Sequence, residues 1–357
     1  MNKNILTFLS LVEIPNKKLA KIMDIVEREE IEDIKKIVDN KEIGKLLSTN
    51  EYTNLANKSD DRLFRSYLAN LEKDNIKVIT IMDAEYPEKL RYLDDAPMLL
   101  YCKGDISLLN QDAISMVGTR MPSNYGRYVT EKFAGVLASA GLVVVSGLAY
   151  GVDAISHRKT LEEGGKTIAV LGGGLNHIYP EANTNLANEI AEKGLLISEH
   201  PPFAKPTKYT FPNRNRIIAG LSLGTLITEA GKKSGTIHTK EFALDYGRDV
   251  FAVPGNINSA KSELPNSLIR SAQAECVLEP EDILARYNLN NPNKVNKTVE
   301  VNMDEQIILN LLKNGEQDFD ELAKNSLLPT NILNSCLTTL EIRGLIKRMP
   351  AKTFMLS

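Results

Sequence analysis

The sequence predicts an α/β fold: a mostly parallel sheet covered by helices on both faces, set between an N-terminal helical module and a small C-terminal domain. Three observations lead there. From Lys77 onward, short β-branched or apolar runs replace a helical period. From Ala113 onward, helix-length patterned segments separate most of those runs, the alternation that makes βαβ units. Gly or Ser follows several runs, at the carboxyl ends of strands where open α/β sheets bind ligands.

Residues 1–60 form the helical module. Apolar side chains recur at Leu19, Ile22, Met23 and Val26, then at Ile31, Ile34, Ile37 and Val38, with Lys and Glu on the other faces. Residues 61–287 carry the sheet. Strands are expected at Lys77–Met82, Met98–Tyr101, Ala113–Val117, Leu142–Ser146, Thr167–Leu171, Leu195–Ser198, Thr225–Thr228 and Val250–Val253. Helices are expected at Tyr125–Ser139, Val152–Glu162, Asn183–Ala191 and Thr236–Tyr246. Residues 288–302 are Asn-rich with little apolar content and read as a linker. Residues 303–357 read as three helices and a strand pair, resembling a winged helix. The apolar sets are Ile307, Ile308, Leu311 and Leu312; Phe319, Leu322 and Ala323; and the segment Asn331–Arg343, with Ile346 and Phe354 in the hairpin. That third helix has one basic residue, Arg343, with Glu341 close by. Phosphate contacts dominate duplex affinity, so protein contact or a structural role is expected there rather than DNA reading.

The chain has 357 residues, 43% hydrophobic and 25% charged, which suits one large domain plus smaller ones with a sizeable core. Its three cysteines have no CxxC pair and its four histidines no ligand spacing, so neither a disulfide framework nor a metal site is expected. Apolar runs are too short for a membrane span, and the N-terminus lacks the pattern of a signal peptide. A cytoplasmic protein is the expectation.

Against a formal charge of −3, Lys205–Gly220 is positive: no acidic side chain occurs from His200 to Thr228. Lys205, Lys208, Arg214 and Arg216 sit there beside Tyr209 and Phe211. Cations interleaved with rings suit a single strand of nucleic acid, charge for phosphates and flat faces for unstacked bases. Pro212 can start a helix, placing Asn213, Arg214 and Arg216 on a first turn whose free N–H groups favour an anion. Three strand-to-helix loops add to this. In Val117–Gly126, Gly118 permits close approach, Arg120 can grip a phosphate with two prongs and Ser123 can cap the helix. Ser146–Asp153 contains Gly147. In Gly224–Thr236, Ser234, Gly235 and Thr236 present hydroxyls and N–H groups at a helix start. GxGxxG is absent, which argues against a nicotinamide or flavin enzyme, and Gly165-Lys166-Thr167 lacks the first glycine of a Walker loop. No nucleophile–base set or paired carboxylates accompany the loops, so no catalytic residue is expected; Glu229 reads as a structural acceptor.

Taken together and in order, these motifs resemble the DNA-processing protein A family, also called Smf. The resemblance spans Ile76–Ile283, through Asp83–Pro87, Val117–Gly126, Ser146–Asp153, Gly174–Pro180, Ser198-Glu199, Phe211–Ser222, Glu229–Gly235 and Gly247–Gly255. It implies an extended Rossmann-like domain that binds single-stranded DNA without catalysis or cofactor and forms a homodimer through that domain. It further implies protection of incoming strands and loading of a RecA-type recombinase in natural transformation. By the same resemblance the phosphate-gripping arginine is Arg120, the pocket lysine Lys208 and the base-contacting ring Phe211, with Thr119 where serine is usual. The family's basic run falls on Asn213–Arg216. Leu264–Ala274, which would carry the dimer contact, has lost the family's glycines, and the N-terminal module resembles a degenerate helix-hairpin-helix or SAM-like domain. The alternative reading is a nucleotide-processing enzyme, a phosphoribohydrolase on a related fold, faintly suggested by Gly224-Thr225 and Glu229.

Overall fold

In the computed structural model, which describes residues 3–12, 14–289, 301–313, 315–349 and 353–356, nine strands form one sheet. They are β1 (Lys77–Thr80), β2 (Leu99–Gly104), β3 (Ala113–Val117), β4 (Val143–Ser146), β5 (Thr167–Val170), β6 (Leu195–Ser198), β7 (Gly224–Ile227), β8 (Asp249–Ala252) and β9 (Glu275–Cys276). Their order across the sheet is β1-β2-β6-β5-β4-β3-β7-β8-β9. Every pair from β6 to β9 is parallel, while β2 joins both β6 and β1 antiparallel. The chain therefore builds outward from β3 through β4, β5 and β6, then returns to add β7, β8 and β9 on the other side. Connections leaving β3 and β7 in opposite directions open a crevice at their carboxyl ends.

Strands β3 through β7 are buried at every residue, which is why they read as largely apolar runs. The Ser115, Ser146, Thr167, Ser198 and Thr225 that interrupt them bury hydroxyls already hydrogen-bonded within the protein. The pleat sends successive side chains to opposite layers. Val143 and Val145 of β4 pack with Ile217, Ile218 and Leu221, whereas Val144 packs with Phe133 and Leu137. Two differences from expectation have local causes. β2 runs on to Gly104 because it has a partner on each side. β9 was not anticipated, since its two residues are exposed and carry no apolar signal.

The N-terminal helices are Lys3–Ser10, Asn16–Arg28, Ile34–Asp39, Lys41–Leu46, Thr49–Lys58 and Asp61–Lys73, so the helical run extends past residue 60. Their apolar stripe is buried in a core shared with Leu99 and Tyr101 of β2, Leu171, Leu186 and Ile190. Hydroxyls of Ser10 and Tyr67 meet the Tyr101 hydroxyl at 2.6 and 2.8 Å, tying the module to the sheet. Among the described residues no helix is long and apolar enough to cross a membrane.

The chain divides into two compact units, Met1–Pro292 and Asn293–Ser357. Of the expected linker, residues 290–300 lie outside those described. The second unit contains helices Met303–Leu312, Phe319–Ser326 and Thr330–Ile342 with strands β10 (Gln317–Asp318), β11 (Ile346–Met349) and β12 (Thr353–Leu356). The strand order β10-β12-β11 is antiparallel throughout and covers a core of Ile308, Leu322, Leu333, Leu337, Leu340 and Phe354. Capping boxes at Asn302–Glu305 and Asp318–Glu321 start its first two helices.

His157, on the helix Val152–Glu162, makes folding sensitive to acid. Thr167 Oγ1 donates to Val144 O at 2.6 Å, so His157 Nδ1, also 2.6 Å from that hydroxyl, is the donor to it. Nε2 is buried with no partner among the described residues. Burial, then the Arg214 and Arg158 charges, pushes this imidazole down to about 3 from 6.5. Above pH 6.5 both states are neutral and nothing is lost; as pH falls from 6.5 toward 3, the unfolded chain takes up a proton that the folded chain refuses. Going from pH 7 to pH 5 should cost about 2 kcal/mol of stability through this group. Urea unfolding at both pH values checks it: His157→Asn should show a smaller drop than the wild-type chain, and equal drops would refute the assignment.

Candidate nucleic-acid interface

The crevice where the chain reverses direction has a volume of about 960 Å³. Gly118, Thr119 and Arg120 line it from the end of β3, and Ser234, Gly235 and Thr236 from the loop after β7. Pro206, Thr207, Lys208, Phe211 and Arg214 line it from the basic stretch. Arg120 and Lys208, far apart in sequence, therefore share one site. Both are exposed, and neither has an ion-pair partner among the described residues; Lys233 adds a third such cation. Asp153 is the one carboxylate among the lining residues. It is buried, and its Oδ2 accepts the N–H groups of Gly147 at 3.1 Å and Ala149 at 3.4 Å.

Close packing shapes the β3 loop. A Cβ on Gly118 would stand 2.6 Å from Val152 Cγ2 and 2.8 Å from Glu229 O. Thr119 N–H donates to that same carbonyl at 2.6 Å. The buried Glu229 carboxylate accepts from Ser123 N at 2.8 Å and Ser123 Oγ at 2.6 Å, while Ser123 Oγ accepts from Gly126 N at 3.1 Å. Ser123 is thus a helix cap clamped to the loop after β7, outside the crevice, and Glu229 is the structural acceptor.

The structure corrects the reading of the basic helix. It spans Thr210–Leu221, so its first turn ends at Asn213 and both arginines fall beyond it. Thr207 Oγ1 already accepts from Tyr209 N and Thr210 N, and Pro212 has no N–H, leaving few free donors for an anion. Arg214 is buried below the crevice. Its Nη1 donates to Gly147 O at 2.7 Å and to Val170 O, and a Cβ on Gly147 would run into this guanidinium. Burial lowers the Arg214 pKa to about 10 against the opposing pull of Asp153. Desolvation likewise raises that of Asp153. Arg216 is buried elsewhere and holds both oxygens of Glu199, at 2.5 and 2.6 Å. Glu199 also accepts from Asn16 Nδ2 at 2.6 Å, which links the helical module to this helix.

Of the residues expected at the site, the fold brings together Gly118, Thr119, Arg120, Lys208, Phe211, Arg214, Ser234, Gly235 and Thr236, with Arg214 serving as the floor. Ser123, Gly147, Asn213 and Arg216 do not line it. Ser234 and Thr236 pair their hydroxyls at 2.9 Å, and the space beside Gly235 is open. Sequence reasoning missed Tyr179, Asn215, Lys233 and His238, which also line the crevice. Tyr179 and Phe211 rings lie 5.4 Å apart, tilted by 46°. Its place beside Pro180 after three glycines was the available signal.

A family model described as DNA recombination-mediator protein A matches residues 77–288, and one described as the DprA winged helix domain matches residues 293–352. The chain is 42% identical over 217 residues to the DNA processing protein DprA of Bacillus subtilis, covering 60% of this chain and 73% of that protein. It is 42% identical over 229 residues to the DNA processing protein DprA of Streptococcus pneumoniae, covering 64% and 80%. The X-ray structure of DNA processing protein A from Streptococcus pneumoniae superposes with a TM-score of 0.69 at 36% identity, over 80% of this chain and 98% of that one. A Helicobacter pylori DNA processing protein A, described for its unique single-stranded DNA binding mode, superposes with a TM-score of 0.54 at 32% identity, over 59% and 96%.

Proposed function

Since this chain belongs to the DNA recombination-mediator protein A family, we propose that its crevice holds single-stranded DNA and that the protein works by binding rather than by catalysis. One observation carries the reading: Arg120 and Lys208, two cations without an ion-pair partner among the described residues, line the same crevice as the Tyr179–Phe211 ring pair, and the lining carboxylate of Asp153 is already held by backbone N–H groups. The cations neutralise successive phosphates and the rings face unstacked bases. Readout of backbone and ring faces gives little sequence preference. Duplex fits poorly, because its bases are stacked on one another. Protection of an incoming strand, association into a homodimer through the Rossmann domain and delivery of the strand to a RecA-type recombinase complete the proposal.

A phosphoribohydrolase is not favoured. Glu229 is consumed by Ser123, and no free carboxylate lines the crevice among the described residues. Titrating a labelled oligonucleotide as single strand and as duplex at matched salt tests the proposal, with tighter binding of the single strand expected. Equal binding of the two, or release of base from nucleoside monophosphates, would overturn it. Phe211→Leu keeps bulk against Gly172, where a Cβ would lie 2.7 Å from the ring, but removes the flat face. Its affinity for single strand should fall about 10-fold.

A further inference from the structure

The segment Pro201–Tyr209 is a strap laid along the glycine run Gly172-Gly173-Gly174. Gly174 N–H donates to Ala204 O at 2.8 Å and Asn176 N–H to Pro202 O at 2.9 Å. A Cβ on Gly173 would stand 2.8 Å from Pro206 Cδ, and one on Gly174 would meet the Pro201 and Pro202 carbonyls. These glycines therefore admit protein backbone, and the strap is held in place. Its inner residues Pro206, Thr207 and Lys208 line the crevice. Two rings on it remain in solvent: Phe203 is 58% exposed and Tyr209 is 73% exposed. Lys208 Nζ sits 4.9 Å from the centre of the Tyr209 ring, and Lys205, between the two rings in sequence, is exposed and has no ion pair among the described residues.

We infer that Tyr209 and Phe203, with Lys205 and Lys208, form an outer stacking subsite that takes the nucleotides of the same single strand after they leave the crevice. The inference rests on the crevice reading and extends it. Lys208 lines the crevice and also sits against the Tyr209 ring, so the crevice and the Tyr209 end of the strap adjoin. Exposed rings and lysines on one strap, within a stretch without acids, complement a chain of phosphates and open bases. A protein partner fits less well, because lysine is depleted from the centres of protein interfaces. The strap backbone is already bonded to the glycine run, which lowers the ordering cost of binding.

The test compares an oligothymidylate of about 6 nucleotides with one of about 20, one near the lower end and one beyond the upper end of the roughly 4–16-nucleotide footprint of a single-strand-binding domain. The wild-type chain should bind the longer one more tightly per site. Tyr209→Ala should weaken the longer oligonucleotide about 5- to 30-fold and leave the shorter one unchanged. Phe203→Ala should act in the same direction, and Tyr209→Phe should retain the gain. An unchanged length gain in Tyr209→Ala overturns the subsite while leaving the crevice intact. A change of oligomeric mass in Tyr209→Ala with the length gain preserved assigns the ring to a protein contact and also overturns it. Failure of the wild-type chain to bind either length overturns the crevice reading, and the subsite with it.

Discussion

Replacing Arg120 and Lys208 together by glutamate is expected to weaken single-strand binding by about 100-fold or more at moderate salt. Affinity for a polyanion comes mainly from displacing counterions at the phosphates that protein cations neutralise. Both side chains are exposed and lack an ion-pair partner among the described residues, so their charge is available to a ligand. Reversal removes two attractions and adds two repulsions. For single strands each lost phosphate contact should also lower the slope of log affinity against log salt by about 0.7, hence by about 1.4 for the pair. Fluorescence anisotropy across a salt series measures both quantities. The fold should hardly suffer, because among the described residues neither side chain makes an ion pair and the contact of Lys208 is with the exposed Tyr209 ring at the surface, and the thermal midpoint provides that control. Wild-type affinity in the double variant would mean that the strand binds elsewhere.

The opposite outcome is expected at Arg214, which looks much the same in sequence. Arg214→Met should destabilise the protein by about 3–5 kcal/mol, read by urea unfolding. The guanidinium bonds the carbonyls of Gly147 and Val170 and lies beside the buried Asp153. Methionine can fill much of the space but leaves two carbonyls unsatisfied and a carboxylate without its cation. Adding Asp153→Asn should restore part of the loss, since it removes the uncompensated charge while keeping an acceptor for Gly147 N–H. A change below about 1 kcal/mol in Arg214→Met would show that this guanidinium is not structural.

These two variants mark the limit of what residue types reveal. Charge and ring content made the Lys205–Gly220 stretch visible, yet Arg120, Arg214 and Arg216 are alike on paper. The fold leaves Arg120 at the crevice, places Arg214 beneath it and pairs Arg216 with Glu199. Each partner arrives from a distant element, and no local period encodes such a meeting. Tyr179 was missed for the same reason: it becomes relevant only beside Phe211. Glycines carried a similar ambiguity. Gly147 and Gly172–Gly174 invite a phosphate when read singly, but here they make room for a guanidinium, a ring and a strap of backbone.

From residues alone came the alternation of buried runs and amphipathic segments, hence the parallel sheet, the helices on its faces and the small three-helix unit after the linker. Those features are local: a strand buried on both faces must be mostly apolar, with any hydroxyl satisfied inside, and a helix on a sheet must repeat every 3.6 residues. Which cations stay free, which rings meet and where a ligand has room were settled only by tertiary packing. A side chain's charge becomes available or is neutralised according to neighbours that chain order does not announce.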